Sequence, residues 1–192
     1  MAVNLAKGQA VSLTKDNPSL NKVFAGLGWD ARVTDGAEFD LDATAFLIGD
    51  DGKVFEQPGA VGYFNEKAVD GAVSYGGDNR TGEGEGDDET ISIELQRLPQ
   101  SIQKVVITVT IYEAEKRAQN FGAVENSFVR VVDEVTGTEI VRFDLREDYD
   151  IETAMIMGEF YRHDGGWKFR AIGQGFKDGL HGMASKFGMQ VA

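Results

Sequence analysis

The fold is decided by the stretch Val105-Val106-Ile107-Thr108-Val109-Thr110-Ile111-Tyr112, which is apolar on both faces and rich in β-branched residues. β-branched side chains favour extended backbone, and a strand with two apolar faces is typical of a position covered on both sides of a sheet. The stretch therefore predicts a central strand deep in the core.

Period-two patterning continues from this strand in both directions along the chain. Residues 91–95 alternate, and residues 39–47 place Asp40 and Asp42 on one face and apolar side chains on the other. Later candidate strands, joined by short turns at 133–137 and 163–166, cover residues 127–132, 139–145, 153–161 and 167–173. The regular spacing predicts a mainly-β chain, folded over residues 1–192 as one two-sheet antiparallel β-sandwich.

Two short helices are expected beside the strands. One lies near residues 115–119, and the other is C-terminal, where Phe176, Leu180, Met183 and Phe187 recur at steps of four, three and four. That spacing produces one apolar stripe on a helix. We therefore expect the C-terminal helix to pack on the sandwich.

An acidic, glycine-rich loop, GDNRTGEGEGDDE, occupies residues 77–89. Its six carboxylates face a single basic residue, Arg80, so the segment repels itself unless a cation neutralises it. Calcium accepts roughly six to eight oxygen ligands in loose geometry, and glycines let backbone carbonyls turn inward. The predicted ligands of the loop are Asp78, Asn79, Gly82, Glu83, Gly84, Glu85, Asp87, Asp88 and Glu89.

Further carboxylates can extend this set. Asp40 and Asp42 can bracket an ion or meet water, and Asp30 follows glycines at 26 and 28 that indicate a strand end or a close approach of the backbone. The number of acids predicts two calcium ions, with magnesium as the alternative ion. An EF-hand is excluded, because Arg80 stands at its third position. The alternative without metal is a solvated, mobile connection.

Composition limits the class of protein. The 192 residues carry 32 acidic and 19 basic side chains, a net charge of −13, which argues against binding to nucleic acid or anionic lipid. The chain has no cysteine, which excludes disulfides, thiolate nucleophiles and zinc sites built on sulfur. The N-terminus lacks the apolar core of a secretory signal, and no apolar run is long enough to cross a bilayer. We expect a cytoplasmic protein without membrane insertion.

Seven segments together resemble the tellurium-resistance TerD family, and they span nearly the whole chain. They are residues 5–13, 26–30, 40–43, 77–89, 121–128, 158–162 and 167–175. The resemblance implies a bacterial, cytoplasmic β-sandwich that binds calcium at one end and belongs to a stress-response system linked to tellurite. It also implies protein partners in larger, membrane-associated complexes. Carried onto this sequence, it implies metal ligation by Asp30, Asp40, Asp42 and the loop.

Three functional hypotheses follow. The first is a calcium-responsive, non-enzymatic binding module whose ordered loop presents a surface to a partner. The second is a metal-dependent phosphohydrolase. No base, nucleophile or phosphate clamp can be assigned for it, since His163 and His181 have no catalytic pattern around them. The third is a scaffold in which calcium only staples the end of the sandwich.

Overall fold

The computed structural model describes residues 2–31, 39–57, 59–77, 86–145 and 149–190. The strands in these parts are β1 (Val3–Asn4), β2 (Ala10–Ser12), β3 (Lys22–Ala31), β4 (Leu41–Ile48), β5 (Ala60–Val61), β6 (Lys67–Ala68), β7 (Val73–Tyr75), β8 (Glu89–Glu94), β9 (Lys104–Ile111), β10 (Val124–Asp133), β11 (Thr138–Asp144), β12 (Ala154–His163) and β13 (Gly166–Phe176). They form two sheets, as the period-two patterning predicted.

The first sheet has the order β1-β11-β10-β3-β8-β7-β6, and the second has the order β2-β13-β12-β9-β4-β5. Neighbouring strands within the described residues run antiparallel, apart from the parallel pair of β1 and β11. The hairpin turns predicted after β10 and β12 are both present. The predicted antiparallel sandwich is confirmed.

The central strand predicted from residues 105–112 is β9, which lies between β12 and β4. Alternate β9 side chains, such as Val105 and Ile107, enter the main core between the sheets. Val106 belongs to a second apolar cluster on the outer face of the second sheet. Both faces of β9 are therefore covered, which explains why its sequence is apolar on both sides.

Two short α-helices, α1 (Ala114–Arg117) and α2 (Gly179–Lys186), occur in the described chain. The C-terminal helix α2 packs on the outer face of the second sheet, where Met183 and the following Phe187 are buried. The ring centroids of Phe46 and Phe187 are 4.9 Å apart. The predicted docking of this helix is confirmed, but its predicted stripe is too long, because Phe176 ends β13 and Phe187 follows the helix. Neither helix in the described residues has the length and apolar character needed to cross a membrane.

Strand β4 departs from the simple alternation expected of it, because all of its residues are buried. Phe46 and Ile48, on the same face of β4 as Asp42, belong to the outer apolar cluster with Met183 and Phe187. Asp42 is only 6% exposed, whereas Asp40, just before the strand, keeps partial contact with solvent. The aspartate face of β4 is thus mostly enclosed.

Strand β3 is a central strand that the sequence patterning did not delimit, since Gly26 and Gly28 interrupt its alternation. It lies between β10 and β8 in the first sheet. A Cβ at Gly26 would overlap the Asp87 carboxylate, and one at Gly28 would overlap the Phe128 ring. The close approach suggested by these glycines is therefore real, but it occurs inside a strand and not at a strand end.

Candidate metal site

The directions of the strands bring the described acidic candidates to one end of the sandwich. Asp30 is near the end of β3, Asp42 is near the start of β4, and Glu89 begins β8. Gly77 and Gly86, which border residues 78–85 of the acidic loop, lie beside the same end of the β7–β8 hairpin. We call this region the acidic end, defined by Asp30, Asp40, Asp42, Asp87, Asp88 and Glu89.

Glu89 is an interior residue that joins the two sheets. Its carboxylate is 1% exposed, and Oε1 accepts a hydrogen bond of 2.7 Å from the Tyr75 hydroxyl while Oε2 accepts one from the Ala43 backbone N–H. Strand β5 pairs with Ala45 and Phe46, so it does not extend to Ala43. Glu89 therefore supplies an acceptor at a position of β4 beyond the reach of the edge strand.

Asp87 forms a two-pronged ion pair with Arg130 of β10. Arg130 Nε and Nη2 donate to Asp87 Oδ1 and Oδ2, each at 2.8 Å, and Nη1 donates to Glu139 at 3.0 Å. Arg130 lies opposite Gly26 in the pairing of β10 with β3, and the missing side chain at Gly26 leaves room for the Asp87 carboxylate. The hydrogen bond to Asp87 is the main reason that the pKa of Arg130 is raised.

Asp88 is held by the backbone of β3. Its Oδ2 accepts a hydrogen bond of 2.9 Å from the Trp29 N–H, and its own N–H donates to the Leu27 carbonyl at 2.7 Å. Burial raises the pKa of Asp88, the Trp29 bond lowers it, and the negative charges of Asp30 and Asp87 raise it further. Burial and the two neighbouring carboxylates thus disfavour the charged form of Asp88, and a bound cation would favour it.

Asp30, the third member of that group, accepts a hydrogen bond of 2.7 Å from the Asn126 side chain through Oδ2. Arg130 and Asn126 are partners that sequence reasoning missed. Both belong to β10, about a hundred residues from Asp30 or forty from Asp87, so no local pattern indicates them. Only the pairing of β10 with β3 reveals them.

Asp40 and Asp42 lie in different surroundings. Asp42 is opposite Thr110 of β9 and lines an open cleft together with Tyr63. Burial, followed by the charges of Asp42, Tyr112 and Asp40, raises the pKa of Tyr63. Apart from Glu89, which is bonded to Tyr75 and Ala43, the described predicted ligands fall into two groups: Asp30 with Asp87 and Asp88, and Asp40 with Asp42.

Within the described ranges, no three His, Cys, Asp or Glu side chains come together in a way that could hold a metal ion by themselves. The other predicted ligands lie outside the described residues; they are Asp78, Asn79, Gly82, Glu83, Gly84 and Glu85. A complete metal site at the acidic end would have to combine the described carboxylates with oxygens of this loop.

The fold and the sequence can be compared with known proteins. The TerD domain family matches residues 1–187. The chain is 49% identical over 192 residues to a tellurium resistance protein TerD from an Alcaligenes species, with both chains covered completely. It is 50% identical over 192 residues to general stress protein 16U of Bacillus subtilis, again with complete coverage of both.

A solved structure shows the same fold. The crystal structure of a homologue of telluride resistance protein (TerD) from Streptomyces coelicolor A3(2) superposes with a TM-score of 0.71 and 28% sequence identity, covering 86% of this chain and 96% of that one. The match to the family along almost the whole sequence agrees with the shared sandwich. The chain belongs to the TerD family, whose relatives here are named as tellurium-resistance and stress proteins.

Proposed function

We propose that this protein is a calcium-binding, non-enzymatic module of a bacterial tellurite- and stress-resistance system, acting in the cytoplasm through calcium-dependent binding of a protein partner. The observation that carries the proposal is the approach of Asp30, Asp87 and Asp88 at the border of the acidic loop. Asp30 belongs to β3, and the backbone N–H of Asp88 donates to the Leu27 carbonyl of the same strand.

The donors at the acidic end suit calcium better than a transition metal. The candidate side chains offer carboxylate oxygen, which a hard cation prefers, and the loop sequence adds further carboxylates, an amide and glycine carbonyls. Burial, followed by the charges of Asp30 and Asp87, raises the pKa of Asp88, and a divalent ion bound there would favour its charged form. Two ions remain the number expected from the count of acids.

The described acids would not contribute equally. Asp87 is already paired through both oxygens with Arg130, and Glu89 is committed to Tyr75 and Ala43. These two residues position the strand that leads out of the loop. Asp88 and Asp30, which accept hydrogen bonds from the neutral Trp29 N–H and Asn126 amide, are the described residues that we assign to the ion.

Calorimetric titration of chelator-stripped protein with calcium, and then with magnesium, tests the proposal. Micromolar or tighter calcium binding with much weaker magnesium binding is expected. Asp88→Asn should weaken calcium binding roughly tenfold or more, because the charge of the ligands sets the affinity of such sites. Asp164→Asn is the matched control, since it removes one carboxylate from the exposed β12–β13 turn at the other end of the sandwich. Equal affinity in both variants, or no calcium binding by the wild type, would overturn the proposal.

A further inference from the structure

Three aromatic side chains stand exposed beside Asp42 and Asp40. Tyr63, Phe64 and Tyr112, which we call the aromatic cluster, are 42%, 37% and 39% exposed. The Tyr63 ring is perpendicular to both others, at 86° and 5.4 Å from Phe64 and at 87° and 6.5 Å from Tyr112. The rings therefore pack on one another and still present faces to solvent, although large aromatic side chains gain much by burial.

The aromatic cluster adjoins a cleft lined by more acidic than basic side chains. Tyr63 and Tyr112 line this open cleft of about 840 Å³; its acids are Asp42, Glu113, Glu115 and Asp178, and its basic residues are Lys116, Lys177 and His181. Asp42 is buried, and it lines this cleft beside Thr110, its partner on β9. Aromatic faces beside a carboxylate form the surroundings that favour an organic cation, because the ring quadrupole and the carboxylate both attract positive charge.

One ring of the cluster already receives a cation from the same chain. The Arg117 guanidinium lies over the Tyr112 ring, 5.2 Å from its centroid. Lys116, which also lines the cleft, is bonded to Glu113 at 3.0 Å and 3.1 Å. The basic residues of α1 are thus engaged locally, and the ring faces of Tyr63 and Phe64 are the part of the cluster that an incoming cation can reach.

We propose that the aromatic cluster binds a lysine or arginine side chain from a basic segment of a partner protein. The rings themselves offer calcium no ligand, because calcium prefers oxygen ligands to ring faces. A basic segment complements both the local carboxylates and the net charge of −13. The inference rests on the partner-binding half of the proposed function and does not require the calcium half.

Titration of the full chain with a tetra-arginine peptide tests this inference, in chelator and at roughly 0.15 M salt, where the screening length is about 8 Å. The double variant Tyr63→Leu/Tyr112→Leu keeps apolar bulk but removes two ring faces. It should bind the peptide roughly two- to thirtyfold more weakly, the range expected for a cation on an aromatic face. The double variant Tyr63→Phe/Tyr112→Phe restores both rings and should recover the binding that the leucine variant loses. Val135→Ala, at an exposed apolar residue of the β10–β11 turn, should bind as the wild type does.

Several outcomes would overturn the inference. Equal binding by the wild type and the leucine variant would mean general attraction to an acidic protein, and absence of wild-type binding would remove the site. Binding of free arginine amide as tightly as the peptide would identify a small-cation site and not a site for a protein segment. Calcium titration of the same variants separates the two proposals, since the leucine variant should bind calcium normally even where it loses the peptide.

Discussion

Strand β8 carries a glutamate at each end, and the two glutamates lie in opposite surroundings. Glu89 is buried and accepts hydrogen bonds from a tyrosine hydroxyl and a backbone N–H of the other sheet. The Glu94 side chain is 27% exposed and pairs with Arg97 at 3.0 Å. The same residue type therefore ties the sheets together at the acidic end and makes a solvent-screened ion pair at the other.

This difference extends to the two ends of the sandwich. At the end opposite the acidic one, Lys22 pairs with Glu134 at 2.8 Å, and Arg162 donates to the carbonyls of Leu98 and Ile102. Basic side chains at that end thus form an ion pair with an acid or donate hydrogen bonds to backbone carbonyls. At the acidic end, Arg130 pairs with Asp87, but burial raises the pKa of Asp88 and the charges of Asp30 and Asp87 raise it further. An added cation should therefore stabilise the protein more at the acidic end than at the opposite end.

The largest effect is expected from Glu89→Ala. The change leaves the Ala43 N–H without its acceptor and opens a gap between the sheets, so the free energy of unfolding should fall by about 3 to 5 kcal/mol. Denaturant unfolding followed by circular dichroism measures it. Glu94→Ala is the control at the other end of β8, and its cost should stay below about 1 kcal/mol because exposed ion pairs contribute little. Comparable losses in the two variants would contradict the structural role assigned to Glu89.

Gly26→Ala should have the next largest effect. Its new Cβ would overlap the Asp87 carboxylate and disturb the ion pair with Arg130, which we expect to cost about 1 to 3 kcal/mol. Thermal unfolding provides the readout. Gly49→Ala is the matched control near the other end, because there a Cβ would meet no atom closer than 3.5 Å. A Gly26→Ala variant that unfolds at the wild-type temperature would show that the Asp87–Arg130 pair can shift to make room for the new methyl group.

Asp88→Asn should increase the free energy of unfolding of the calcium-free protein at neutral pH. Because the pKa of Asp88 is raised in the folded state, its ionisation opposes folding, and chelated wild-type protein should lose stability as the pH rises from the ordinary carboxyl range through that raised value. The asparagine variant should therefore be the more stable protein at neutral pH in chelator, and the difference should vanish in acid. Added calcium should stabilise the wild type more than the variant.

A pH series of unfolding curves, with and without calcium, measures both effects of Asp88→Asn. A variant that is less stable than the wild type in chelator at neutral pH would show that the Trp29 bond to the carboxylate outweighs burial and repulsion. That result would weaken the electrostatic basis of the proposed site.

Glu134→Gln should have the smallest effect. Glu134 pairs with Lys22, a half-exposed side chain, at the end where charges are screened by solvent, and glutamine can still accept the hydrogen bond that the Ser92 hydroxyl donates to Glu134. The free energy of unfolding should change by about 0.5 kcal/mol or less. Comparison of unfolding at low and high salt checks the assignment, since added salt should erase whatever difference exists.

Much of the fold could be predicted because its signals are local. The β9 sequence predicts a covered central strand, and the stripe ending at Phe187 predicts a docked helix. The burial of Asp42 could not be predicted from β4 alone, since the residues that line the cleft beside it, such as Tyr63 and Leu180, are distant in sequence. Strand β3 was obscured because Gly26 and Gly28 serve contacts made by Asp87 and by Phe128 of a neighbouring strand.

The candidate site was predictable in residue type but not in arrangement. The density of acids in the sequence identified Asp87, Asp88 and Glu89 together. In the structure Asp87 pairs with Arg130, Asp88 accepts from the Trp29 N–H, and Glu89 accepts from the Tyr75 hydroxyl and the Ala43 N–H. Adjacent residues of an extended chain point in different directions, so a run of acids need not converge on one ion. Which acid faces which partner depends on pairing between strands far apart in sequence.

Calcium titration of isotopically labelled protein, followed by amide chemical shifts in nuclear magnetic resonance spectra, would locate the calcium site. We expect the largest shifts at the acidic end, around Trp29, Asp30 and residues 86–89, and unchanged shifts for amides beside Lys22, Glu94 and Arg162. Shifts centred on the opposite end, or no shifts at millimolar calcium, would contradict the assignment of the acidic end as a calcium site.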